Sequence, residues 1–313
     1  MEFKESALMC LSRNMGLKSG ESVLILTDDT RMNIGTVLYE AAEELHANAM
    51  LMCMQPAQVS GTEPPAAVSA AMKAADVVIC ATKESISHTY ARVEAVKAGA
   101  RIAMMGGITE EMFCEGAITA DYRKVKDLTI KLCKELDEAK TAEIRKEGYS
   151  LTLDLTGRKS VPSTGVYEEP GTAGNLPSGE AYIAPLESKT EGCMIIDASM
   201  VGVGLLQEPL IVEIQNGRLQ KITGADAKRL DILFKRPENG VVCELGIGTN
   251  DAAILRGIIL EDEKIYGTIH IAFGSNISFG GINKADCHMD GVILKPDLYL
   301  DGRLVMEKGV YLG

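Results

Sequence analysis

Residues 21–55, ESVLILTDDTRMNIGTVLYEAAEELHANAMLMCMQ, decide how the first part of the chain folds. ESVLILTD (21–28) and NAMLMCMQ (48–55) are nearly continuous apolar runs, the pattern of strands buried on both faces. Residues 31–46 between them carry an amphipathic helical pattern. The unit recurs: DVVICAT (76–82) and RIAMMGG (101–107) read as further strands, with helical segments at 66–75 and 88–99. The order β-α-β-α-β-α-β predicts a parallel sheet with helices on both sides. The first strand runs into TDDT rather than a glycine-rich phosphate turn, so no dinucleotide-binding loop is expected there. A polar helix over about 119–147 then leads to a second domain.

From residue 148 the period changes. SLTLDL, CMIIDAS, PLIVEIQ, VVCELGIG, GTIHIAF and GVILKPDLYL read as short strands, separated by turns such as QNGR and LDGR. Helix is scarce, with short segments expected near 226–234. The chain therefore divides into an α/β domain over 1–147 and a glycine-rich, mostly β domain over 148–313.

A length of 313 residues with 46% hydrophobic content is enough for a sizeable core in two domains. The net charge of −12 argues against nucleic-acid and anionic-membrane partners. No apolar run approaches a membrane span, and MEFKESALMC has no charged-then-apolar leader, so a soluble cytoplasmic protein is expected. The eight cysteines lie far apart without a CxxC, which fits reduced thiols better than a disulfide framework or a thiolate zinc site.

The chemistry gathers in TIHIAFGSNISFGGINKADCHMD (268–290), which holds two of the four histidines. His288 and Asp290 are two apart, so on a strand they share a face, with Cys287 and Met289 on the other. The same alternation assigns Cys243 and Cys287 to the core. His270 lies in a second strand candidate among apolar neighbours. A histidine in such a place is ordinarily a satisfied core residue. Two imidazoles and a carboxylate brought together on strands would instead suit a first-row metal. Glu180, after a Pro-Ser-Gly turn, and Glu244, inside an apolar run, would be costly to bury without a cation or partner. Together the five residues suit one or two divalent ions: Zn²⁺, Mn²⁺, Co²⁺ or Fe²⁺.

GNLPSGEAYIAP (174–185), ELGIGTN (244–250), EDEKIYGTIHIAFG (261–274) and HMDGVILKP (288–296) resemble motifs of the M29, or aminopeptidase T/S-type, metallopeptidases. They also resemble that family's shorter relatives, which include the 2,5-dihydroxypyridine 5,6-dioxygenases. In the aminopeptidase branch the resemblance implies Glu180, Glu244, His270, His288 and Asp290 as ligands of a metal pair. In the dioxygenase branch it implies His270, His288 and Asp290 as iron ligands. It also implies a homodimer. Two departures argue against a peptide substrate: the chain is shorter than the aminopeptidases, and Ile277 stands where they carry a tyrosine.

The expected activity is metal-dependent hydrolysis of a small substrate, a peptide or amide bond or a cyclic amide or diketone. Glu180 and Glu244 would act as acid/base groups on metal-activated water. Their retention favours this over the alternative, an Fe(II) ring-cleaving dioxygenase, because a facial triad does not need them. His88 and Arg92, in SISHTYAR after a predicted strand, and Arg158 are candidate substrate contacts. EDEK (261–264) reads as a solvated turn, with Lys264 a candidate inward-facing charge.

Overall fold

The computed structural model describes residues 1–87 and 89–313. By backbone contacts these residues form two compact units, Met1–Tyr122 with Gly165–Ser178, and Arg123–Thr164 with Gly179–Gly313. A boundary at residue 148 would fall between the paired strands Thr141–Lys146 and Tyr149–Asp154 of the second unit.

The first unit carries the parallel sheet. Its strands Ser22–Asp28, Asn48–Met54, Val77–Ala81 and Arg101–Met104 run parallel, as the apolar runs predict. Ser22–Asp28 lies between Asn48–Met54 and Val77–Ala81, and a fifth strand, Ala173–Asn175, joins beyond Arg101–Met104. Leu24, Leu26, Val78, Cys80, Ile102 and Met104 pack against Val68, Met72, Ala91 and Ala95 from two helices. Asn48–Met54 is the edge strand and stays half exposed, so its apolar run does not mark burial on both faces. Asp28 ends the first strand, and its carboxylate accepts from the Lys83 and Thr30 backbone N–H groups.

The polar helix spans only Tyr122–Glu138. Residues 141–146 alternate instead, burying Ala142 and Ile144, and pair with Tyr149–Asp154 across a turn in which Glu147 and Gly148 both have positive φ. Period-two burial overrides the helical reading there.

The second unit contains an eight-stranded and a seven-stranded sheet. Ile144, Leu151, Met194 and Val212 from the first share one buried cluster with Ile183, Leu245, Ile269, Phe273 and Ile293 from the second. The short helical turns Ala227–Leu230 and Ile232–Lys235 lie where expected. The class is thus mixed α/β, with a parallel sheet and large antiparallel sheets. Among the described residues no helix is long and apolar enough to cross a membrane, and every cysteine is free.

Candidate metal centre

Strand Thr268–Gly274 sends Ile269, Ile271 and Phe273 into the core and turns His270, Ala272 and Gly274 to its other face. Its neighbours are the antiparallel strands Val242–Gly248 and His288–Leu294. Their register sets Glu244, Ala272 and Asp290 in one row, Gly246 beside His270, and Gly274 beside His288. Glu180 opens the next strand, opposite Gly248. The positions between the ionisable groups are therefore small, Gly246, Ala272 and Gly274, with Val292 on the far side of His270. A Cβ on Gly246 would lie 2.0 Å from His270 Nε2, so the imidazole occupies the space a side chain would need.

Five groups predicted from the sequence come together on this face. His270 Nε2 lies 3.2 Å from Glu244 Oε1 and 3.5 Å from Glu180 Oε2. His288 Nε2 lies 3.3 Å from both Glu244 Oε2 and Asp290 Oδ1. Glu244 thus stands between the two rings. Donor atoms of Glu244, His270 and Asp290 fall within 4.8 Å of one another, as do those of Glu180, Glu263 and His270. Either set could hold a cation.

The loop 275–287 fixes His288. Its Nδ1 is 2.8 Å from the Ser275 carbonyl, which can only accept, so Nδ1 carries a hydrogen and Nε2 is the atom turned to the carboxylates. The buried Asn276 pins this loop: its Nδ2 donates to Glu187 and its Oδ1 accepts from Asn283 N. Phe279 packs edge-on against His288 and Tyr182, with ring centroids 5.9 and 5.3 Å away. A bulge between Val242 and Glu244 breaks the alternation, so Cys243 is not simply a core residue: its Sγ lies 3.6 Å from His288 Nδ1. Cys287 packs against the core as expected.

EDEK is not a solvated turn. Glu261, Asp262 and Lys264 are fully buried and Glu263 nearly so. Arg256 and the backbone make this possible: Arg256 Nε donates to Glu261, while Arg256 N and Ile254 N donate to Asp262 and Glu261. Lys264 does point inward, and its ammonium donates to Glu180 Oε1 at 2.6 Å and to Glu263. Glu263 is the member of the cluster that sequence reasoning missed. Its neighbours in EDEK are all charged, and that pattern ordinarily marks solvent.

Burial works against charging His270, but its bond to Glu244 and the charges of Glu180 and Glu263 prevail and raise its pKa to about 9. His288 is likewise raised, burial being outweighed chiefly by Asp290. Burial would raise the Glu244 carboxyl, yet the two imidazoles hold it down at about 2. Burial, reinforced by the charges of Glu180 and Asp290, lifts Glu263 to about 8 despite Lys264. The donors fit a cation that replaces the imidazolium protons.

Arg158 pairs with Glu187 and donates to the Gly280 carbonyl. Arg92 lies on the helix Tyr90–Lys97, where its Nε donates to the Ser87 carbonyl. His88 lies outside the described residues. Ile277 is largely exposed.

The family described as NicX, 2,5-dihydroxypyridine 5,6-dioxygenase, matches residues 8–313. A 2,5-dihydroxypyridine 5,6-dioxygenase of Pseudomonas putida is 26% identical over 262 residues, 78% of this chain and 73% of the relative. Among solved structures, the 2,5-dihydroxypyridine dioxygenase of Pseudomonas putida KT2440 superposes with a TM-score of 0.83 at 20% identity, covering 99% of this chain and 97% of that one. AmpT of Thermus thermophilus, an M29 aminopeptidase, superposes with a TM-score of 0.74 at 14% identity and 99% coverage of both chains. Both expected resemblances are present.

The hydrolase expectation is overturned by the family match and by the Pseudomonas relative, both of which name a ring-cleaving dioxygenase. The argument for hydrolysis rested on the two glutamates having no other task. They have one: Glu180 holds Lys264, and Glu244 bridges the imidazoles.

Two outcomes follow from this geometry. Gly246→Ala forces a methyl against the His270 ring and is expected to destabilise the fold by about 1–3 kcal/mol, the usual cost of overpacking. Denaturant titration checks this, and a change within 0.5 kcal/mol, roughly the scatter of neutral surface substitutions, would contradict it. The second outcome concerns pH. The folded pKa of His270, about 9, exceeds its ordinary value of 6.5, so its stabilisation is complete below 6.5 and disappears as pH rises through 9. Glu263, raised to about 8, loses stability with rising pH over part of the same window. Protein kept free of divalent ions by chelator should therefore melt at progressively lower temperature from pH 6.5 to 9, and His270→Gln should flatten that slope.

Proposed function

Because the chain belongs to the 2,5-dihydroxypyridine 5,6-dioxygenase family, we propose that it is a non-haem Fe(II) dioxygenase. Its substrate would be an electron-rich, hydroxylated nitrogen heterocycle of the 2,5-dihydroxypyridine kind, opened by insertion of both atoms of O₂. His270, His288 and Asp290 would hold the iron. The observation that carries the reading is the convergence of both imidazole Nε2 atoms and Asp290 around Glu244, with the His288 tautomer fixed by Ser275. Two imidazoles and one carboxylate form the set that suits ferrous iron and leaves positions for a substrate hydroxyl and dioxygen.

The chain's own groups do the rest. Ser275 holds the hydrogen on His288 Nδ1, so Nε2 stays available as a donor. Glu244 keeps a negative charge beside both rings. It orients them and, together with Asp290, balances either two imidazolium protons or a divalent ion. Glu180 is held in place by Lys264, which keeps its Oε2 turned toward His270. A buried, water-poor face strengthens each of these electrostatic contacts.

The reading is tested with an oxygen electrode on protein reconstituted anaerobically with Fe(II). 2,5-Dihydroxypyridine and related hydroxypyridines are expected to consume one O₂ per molecule opened, and ¹⁸O₂ should label the product at two positions. Turnover that continues without oxygen would sink it.

The ligand assignment has its own check. His288→Ala and Asp290→Ala should each weaken Fe(II) binding by at least about 100-fold, since even outer-shell partners are worth 10- to 100-fold. Metal analysis after desalting reads this directly. Wild-type iron content in both variants would contradict the assignment.

A further inference from the structure

Two groups of donors share this face, and His270 belongs to both: Glu244–His270–Asp290 and Glu180–Glu263–His270. The second group already has a cation. Lys264, fully buried, donates from one ammonium to Glu180 and to Glu263. It is among the largest side chains in the protein with no solvent contact. Its four-carbon stem delivers the charge into a place from which it has no route to water. A charge in that position is tolerated only where opposite charges and hydrogen bonds receive it.

The balance of charge shows what the ammonium does. Glu180, Glu244, Glu263 and Asp290 are four carboxylates, each more than nine-tenths buried. One divalent ion on the Glu244–His270–Asp290 side neutralises half of them. The other half, Glu180 and Glu263, would present a pair of close carboxylate oxygens beside a metal-binding imidazole, which is what a second divalent ion seeks. One atom of this pair is also unclaimed: Glu180 Oε2 is buried without a hydrogen-bond partner, 3.5 Å from His270 Nε2.

We propose that Lys264 is a built-in second cation, whose ammonium occupies the place between Glu180 and Glu263 that a second divalent ion would take and so restricts the centre to one metal. The proposal rests on the iron-centre reading above and adds to it a residue that sets metal number. Lys264 touches neither His288 nor Asp290 in any contact of the described residues, so it is a positioning residue. Its effect is read in stoichiometry and spectroscopy rather than in turnover.

The experiment compares wild type, Lys264→Ala and the double variant Lys264→Met/Glu263→Gln. Each is loaded anaerobically with excess Mn(II), desalted and analysed for metal per chain. Wild type should hold one ion and give an electron paramagnetic resonance spectrum of isolated Mn(II). Lys264→Ala should hold two, with a spectrum of two coupled ions, and its thermal stability should need two equivalents to saturate. The double variant removes one cation and one anion together, so it should fold and return to a single ion.

Two ions in wild type would overturn the proposal, as would one ion in folded Lys264→Ala. Failure of Lys264→Ala to fold at millimolar Mn(II), while the double variant folds, would overturn it too, because a second ion should replace the ammonium. A wild-type chain that takes up no ion in any form would overturn the iron centre itself, and this proposal with it.

Discussion

Four carboxylates buried on one face of a β-sheet are the constraint around which the second unit is arranged. Removing a carboxylate from water costs several kcal/mol even after relaxation, and a partner must return most of that. Lys264 answers Glu180 and Glu263, while His270 and His288 answer Glu244 and Asp290. Neither half of the arrangement is stable alone. The imidazoles are drawn toward the charged form because the carboxylates surround them, and Glu244 stays ionised because the imidazoles do. Such a site binds protons when it lacks a metal and releases them when it gains one.

The apolar side of the same strands gives this face its rigidity. Ile269, Ile271, Phe273, Leu245, Ile247 and Ile293 belong to the cluster that unites the two sheets. A slip of one residue would exchange these for His270, Ala272 and Glu244, so the register of the site is held by the burial of the core. The bulge at residues 242–244 is the one departure on the Glu244 strand. It brings Cys243 to the edge of the His288 ring without disturbing the pairing that follows. The glycines on the site face are required by crowding. Gly246 yields its side-chain volume to an imidazole, and Gly248 to the Ile265 carbonyl.

The fold itself does not choose the reaction. A ring-cleaving dioxygenase and an M29 aminopeptidase both superpose on this chain over nearly its whole length. Function resides in the groups placed on a shared scaffold. Glutamates that read as acid/base catalysts in isolation here hold a lysine and two histidines in position, and a buried lysine takes up charge that a metal would otherwise balance.

The sequence by itself determined the parallel sheet and the strand character of the second half, and it offered residues 180, 244, 270, 288 and 290 as a candidate set. Those features are local: apolar runs mark strands, a period of two marks faces, and His-x-Asp on a strand shares a side. It offered Lys264, a few residues before His270, only as a candidate inward charge, within a stretch that otherwise reads as solvated. Tertiary structure alone decided the remainder. Whether EDEK meets water depends on Arg256 and on the distant Glu180, and neither is visible in four adjacent charges. The helix that ends at Glu138 rather than near 147 gives way because Ala142 and Ile144 find a core across the turn. The task of the two glutamates was likewise beyond the reach of spacing. A carboxylate's chemistry is set by the charges within a few ångströms of it, and folding brings Lys264 to Glu180 from 84 positions away and His270 from farther still.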